Sequence, residues 1–144
     1  MAIIIDGKKT AQQIREEIKK EVSTMSVKPG LAVILVGSDP ASTIYVRNKV
    51  KACEDAGFLS KSYNLPADTM ESELLDLVAK LAIDDSIHGI LVQLPLPSHI
   101  SEASVIEAIP PFKDVDCFHN LNTGKVLTKK SKDKPYSKII KVKF

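Results

Sequence analysis

The sequence predicts an α/β fold: a three-layer αβα arrangement built on a mainly parallel sheet. Three observations carry that expectation. Residues 31–37, LAVILVG, and residues 89–94, GILVQL, are short unbroken apolar runs rich in branched side chains, the pattern of strands buried on both faces. Between and around them lie segments whose apolar residues recur at steps of three or four, as crossover helices between parallel strands do. The chain has 144 residues, 44% hydrophobic and 26% charged, which suits one soluble domain with a real core.

Taken in order, residues 1–6 hold three consecutive Ile and read as a short strand or edge segment. From Thr10, the positions Ala11, Ile14, Ile18, Val22 and Met25 form one helical stripe that ends before Pro29 and Gly30. The strand at 31–37 follows. Pro40 and Ser42 mark the start of the next helix and Gly57 its stop, with Ser42 as the expected cap. Residues 58–65 alternate loosely, as a second and less buried strand would. Residues 70–83 carry Leu74, Leu75, Val78, Leu81 and Ala82 on one stripe, with Glu71 and Glu73 at the end where acids favour a helix start. The strand at 89–94 is broken by Pro95 and Pro97. A short helix at 101–109 closes on Pro110 and Pro111. Residues 139–144, IIKVKF, suit an edge strand or a sticky end.

Charge divides the chain. Residues 1–124 carry 12 Lys and Arg against 17 Asp and Glu, whereas residues 125–144 carry 8 Lys against one Asp. The tail lacks the interleaved aromatics or helical pattern of a nucleic-acid surface, so neither a nucleic-acid nor a membrane partner is expected. No apolar run is long enough to span a bilayer or act as a signal peptide, which makes the cytoplasm the expected location. Cys53 and Cys117 are far apart and have no CxxC spacing, so reduced thiols are expected.

Ligands of parallel α/β sheets collect beyond the carboxyl ends of the strands. Four residues fall near those ends or on the helix that follows one. Tyr45 and Lys49 lie four apart on one helix face, offering a flat ring beside an amine. Amines held partly away from water serve as acids or bases near neutral pH. Gln93 can accept from such an amine through its oxygen while its nitrogen donates elsewhere, or it can merely satisfy loop backbone. Asp116 can accept paired N–H groups of a heterocycle; Asp114 and Asp116 also suit turn caps. His88, His99 and His119 lack metal-ligand spacing and read as surface or packing residues. Cys53 reads as packed against the sheet. No GxGxxG, Walker A or GxSxG loop is present.

Three stretches, PASTIYVRNKVKACEDAG, GILVQLPLPSHI and KDVDCFHNLNTGKV, together resemble the substrate domain of the bifunctional methylenetetrahydrofolate dehydrogenase/methenyltetrahydrofolate cyclohydrolase family. The likeness in order and separation runs from about residue 2 to about residue 127. It implies a folate-binding catalytic domain at 1–124 and a divergent lysine-rich tail at 125–144. It also implies catalytic roles for Lys49 and Gln93, and substrate binding by Tyr45, Asp116, Ser42, Leu94 and Pro95. In the family the tyrosine stacks on the folate, the glutamine orients the lysine, and the aspartate hydrogen-bonds the pterin.

The family oxidises 5,10-methylenetetrahydrofolate with NAD(P)+ and hydrates the methenyl product to 10-formyltetrahydrofolate. A tetrahydrofolate derivative is therefore the expected substrate. NADP or NAD serves relatives through a second domain that this chain is expected to lack, so dehydrogenation is expected to be lost. The family dimer runs largely through that second domain and is not assumed here, although self-association through an uncovered apolar face is compatible with the sequence. A non-catalytic folate-binding or protein-interaction module is the competing reading. Cys117 stands where the family usually has glycine, and a Cβ there restricts φ.

Overall fold

A computed structural model describes residues 6–127. The elements run α1 (Gly7–Ser23), β1 (Gly30–Val36), α2 (Pro40–Asp55), β2 (Leu59–Leu65), α3 (Glu71–Ile83), β3 (Gly89–Val92), α4 (Glu102–Ala108) and α5 (Asn120–Leu127). The three strands form one parallel sheet in the order β2, β1, β3. Gly30 pairs with Leu59 on one side of β1, and Leu31 with Gly89 on the other. Both connections that return to the sheet are helical, as parallel pairing requires.

The central strand shows why the sequence had to be apolar without a break. All seven residues of β1 are buried. Ala32, Ile34 and Val36 face Leu74, Val78 and Leu81 of α3 and Val105 of α4. Leu31, Val33 and Leu35 face the other way, onto Val46 and Cys53 of α2. Successive side chains of a strand alternate in direction, so a strand covered on both faces needs apolar residues at every position. The result is three layers: α3 and α4, the sheet, and α2. Edge strand β2 has no fully buried residue and leaves Ser62 and Asn64 exposed.

The sheet sits close to the loop before β3. A Cβ on Gly30 would lie 1.8 Å from the Ser86 carbonyl oxygen, so only glycine fits at the start of β1. The Gly30 amide donates to His88 Nδ1 at 2.9 Å, and the His88 amide returns a bond to the Gly30 carbonyl at 2.8 Å.

Strand β3 ends at Val92, short of the expected Leu94, and three helices differ from the sequence-based expectation. Helix α1 starts at Gly7, ahead of Thr10, because the Asp6 carboxylate caps it by accepting from the Lys9 amide at 3.0 Å. Helix α2 is capped by Asp39, which accepts from the Ser42 amide at 2.8 Å; Ser42 itself lies inside the helix. Helix α5 was not foreshadowed by any apolar stripe. The expected segment at residues 1–5, the edge strand at 139–144 and most of the lysine-rich tail lie outside the described residues. Among the described residues no helix is long and apolar enough to cross a membrane.

Candidate active site

The carboxyl edge of the sheet brings together residues from three separate stretches. Strand β1 is followed by Gly37, at φ +84°, whose amide donates to the Leu65 carbonyl at 2.9 Å. The chain then turns into α2, whose first turns present Tyr45 and Lys49. Strand β3 lies beside β1, and its continuation is held by a bond from the Gln93 amide to the Ile34 carbonyl at 2.9 Å. That register delivers the Gln93 side chain to α2.

Lys49 Nζ donates to Gln93 Oε1 at 3.3 Å. The amide is held from its other end, since Gln93 Nε2 donates to the Leu94 carbonyl at 2.7 Å. With both ends of the amide engaged, Gln93 presents its oxygen to the amine in one orientation. Lys49 Nζ also lies 5.2 Å from the centre of the Tyr45 ring, within the range of a cation–π contact. Tyr45 is 57% exposed, so most of its ring is open to a ligand.

Asp116 approaches from the loop after α4. Desolvation pushes its carboxyl above the usual range; the Lys49 charge pulls it back down and Asp114 adds to the rise. The residue as a whole is nonetheless exposed. Asp116 shares a narrow apolar crevice with Leu94, Ile106 and Phe118.

The remaining expected positions sit nearby in different states. Ser42 is buried, and its amide donates to Asp39 Oδ2 at 2.8 Å; hydrogen bonding from Ser42, its amide first, holds the Asp39 carboxyl below the usual range. Leu94 is half-buried and Pro95 exposed, and the peptide between them is cis. Cys53 is buried against the sheet, and burial pushes its thiol up to about 11, so it is an inert packing residue. Cys117 adopts φ +60°, the left-handed conformation for which glycine is the usual residue.

The histidines are structural. His88 accepts from Gly30, His99 Nε2 bonds the Thr69 carbonyl at 2.9 Å, and His119 is buried and accepts from the Leu121 amide at 3.2 Å. No group of three His, Cys, Asp or Glu gathers to hold a metal among the described residues. A dinucleotide does not fit the β1–α2 turn either. Where a pyrophosphate would need the free N-terminus of α2, the Asp39 carboxylate already occupies it. Two participants carry no clear signal in the sequence: Phe118, and Asp114 in anything beyond a turn-capping role.

Fold and edge together define an open parallel α/β domain that carries an amide-held amine, an aromatic face and a carboxylate near the carboxyl edge of its sheet. The family model described as "Tetrahydrofolate dehydrogenase/cyclohydrolase, catalytic domain" matches residues 5–116, and the chain belongs to that family. It is 55% identical over 132 residues to "Bifunctional protein FolD" of Magnetococcus marinus, covering 89% of this chain and 46% of the relative. The same-named protein of Aquifex aeolicus is 55% identical over 131 residues, covering 88% and 45%.

Among solved structures, the Campylobacter jejuni FolD methylenetetrahydrofolate dehydrogenase/cyclohydrolase is 47% identical with a TM-score of 0.80, covering 84% of this chain and 44% of that one. The Trypanosoma brucei enzyme, complexed with NADP cofactor and inhibitor, is 36% identical with a TM-score of 0.85, covering 90% and 45%. The chain therefore spans just under half the length of the relatives it matches.

Proposed function

We propose that this chain binds a reduced folate across the carboxyl edge of the sheet and that Lys49 moves a proton in the hydrolysis of 5,10-methenyltetrahydrofolate to 10-formyltetrahydrofolate. The observation that carries this reading is the Lys49–Gln93 bond of 3.3 Å beneath an open Tyr45 ring. Family membership supplies the substrate class.

The methenyl bridge is an amidinium-like cation, so its carbon accepts water. Lys49 Nζ takes a proton from the attacking water as the C–O bond forms. In the tetrahedral adduct the hydroxyl proton is lost as the carbonyl forms. The C–N5 bond breaks with its electron pair going to N5, which recovers a proton from the Lys49 ammonium. One proton is released to solvent overall. Gln93 keeps the amine in place through the cycle, because an amide oxygen accepts from both the amine and the ammonium. Tyr45 supplies a face for the planar ligand, and Asp116 accepts paired N–H groups from the pterin.

Hydride transfer would require a nicotinamide dinucleotide, and the α2 N-terminus, capped by Asp39, does not offer its pyrophosphate a place. Hydrolysis is tested by following methenyltetrahydrofolate loss with the spontaneous rate subtracted. The wild-type chain should exceed a Lys49→Ala variant; equal rates would sink the catalytic assignment, and folate binding without turnover would then be the function of this edge.

A further inference from the structure

The loop that delivers Asp116 is closed by a second, buried aspartate. Asp114 is only 5% exposed. Its Oδ2 accepts from the His119 amide at 3.0 Å and from Asn122 Nδ2 at 3.0 Å. One carboxylate oxygen therefore gathers the start of the loop, its far end and the first turns of α5. Asn122 Nδ2 also donates to the Pro111 carbonyl at 2.6 Å, tying the same turn to the segment before the loop.

The residue before Asp114 is anchored just as firmly. Lys113 is buried, and its Nζ donates to the Leu81 carbonyl at 3.1 Å and the Asp84 carbonyl at 2.9 Å, placing its charge at the carboxyl end of α3. Its own carbonyl accepts from the Ile90 amide at 2.7 Å, which fastens the loop to β3. Residues 115–118 are left as a short excursion between two fixed points. Asp116 and the left-handed Cys117 both lie within it, and Thr123 Oγ1 reaches back to the Cys117 carbonyl at 2.9 Å.

We propose that Asp114 is the positioning residue for Asp116: by clasping the His119 amide and Asn122, it fixes the turn that aims the Asp116 carboxylate at the ligand. The assignment of a ligand to Asp116 rests on the folate reading above; the clasp itself does not. The atoms at stake make the substitutions informative. Asparagine can place its oxygen where Oδ2 now accepts both bonds, whereas alanine removes the acceptor.

Two measurements on the full chain decide the matter. In ligand-free protein, Asp114→Ala should speed amide exchange at residues 117–119 by about tenfold or more, with Ile34 and Val92 unchanged, while Asp114→Asn stays near wild type. Unchanged exchange in Asp114→Ala would overturn the clasp. In a titration with folic acid, Asp114→Ala and Asp116→Ala should each weaken binding about tenfold, and the double variant should bind no more weakly than Asp116→Ala alone. Losses that multiply would overturn the claim that Asp114 acts through Asp116. A similar loss in Asp114→Asn would do the same, since that variant keeps the acceptor. Should Asp114→Ala not fold, Asn122→Ala removes one donor and is expected to show the same pattern more weakly. Failure of the wild-type chain to bind folic acid would overturn the folate reading, and with it the aiming role, while the exchange data would still decide the clasp.

Discussion

Replacing Gln93 separates two ways in which its amide could serve Lys49. Gln93→Leu removes the acceptor that Lys49 Nζ uses at 3.3 Å and frees the amine to wander. A hydrogen bond to a charged group contributes about 1.5–3 kcal/mol, and this one is long and half-exposed, so its loss should cost about 1.4 kcal/mol, or tenfold. Gln93→Glu keeps an acceptor but adds a charge. At 3.3 Å and an effective dielectric of about 20, the attraction is about 5 kcal/mol, and solvent screening at a half-exposed pair reduces it to about 2 kcal/mol. That attraction holds Lys49 as the ammonium and withdraws the amine that accepts the proton from water. The new carboxylate also sets an oxygen against the Leu94 carbonyl, where the amide now donates at 2.7 Å. The assay is initial-rate hydrolysis of methenyltetrahydrofolate, with kcat and KM determined separately. The expected order in kcat is wild type, then Leu lower by about tenfold, then Glu lower by about thirtyfold, with KM little changed. A Glu variant as fast as wild type would refute the argument, because it would show that proton acceptance by Lys49 does not limit turnover.

Other expectations concern the scaffold. Gly30→Ala should cost about 3 kcal/mol or more in urea unfolding, since a Cβ 1.8 Å from the Ser86 carbonyl forces the central strand to move; a loss below about 1 kcal/mol would contradict the packing described. At Cys117, held at φ +60°, glycine should be at least as stable as cysteine, whereas Cys117→Val should lose more than about 1 kcal/mol; a valine variant with the wild-type urea midpoint would show that the turn is not left-handed. Asp84 is held down to about 2 by hydrogen bonds from Ser86, with Lys61 adding to them. Its folded value lies below its unfolded one, so its contribution to stability is complete above the ordinary carboxylate range and is lost as pH falls toward about 2. Asp84→Asn should therefore flatten the acid limb of stability against pH in that window, and an unchanged limb would count against the Lys61–Asp84–Ser86 arrangement.

The layers were legible because their signal is dense. Residues 31–36 are apolar at every position, and no exposed strand is built that way. The stripe Leu74, Val78 and Leu81 likewise announced α3, and all three are buried. Caps were harder to read. Asp39 and Ser42 both suit a helix start, and only the backbone shows that Pro40 takes the first helical position and leaves Asp39 to cap. Helix α5 contains Asn120, Asn122, Thr123 and Gly124, all weak helix formers, and its first turn depends on tertiary bonds to Asp114 that no local pattern reveals.

At the site, Tyr45 and Lys49 were readable as neighbours because both lie on one helix. Gln93 is 44 positions from Lys49, and their meeting follows only from β3 lying beside β1. The clasp around Asp116 was opaque for a related reason. Asp114, His119 and Asn122 look like ordinary turn residues until the loop is closed.

The central claim is that the carboxyl edge forms one folate site from residues of α2, the β3 extension and the Asp116 loop. The most direct test is amide hydrogen exchange of the chain with and without saturating folic acid. Protection should appear together at residues 45–49, 93–96 and 114–118, with the far end of the sheet near Gly30 unchanged. Saturable binding that protects none of these three stretches, or that protects a surface elsewhere, would contradict the site described.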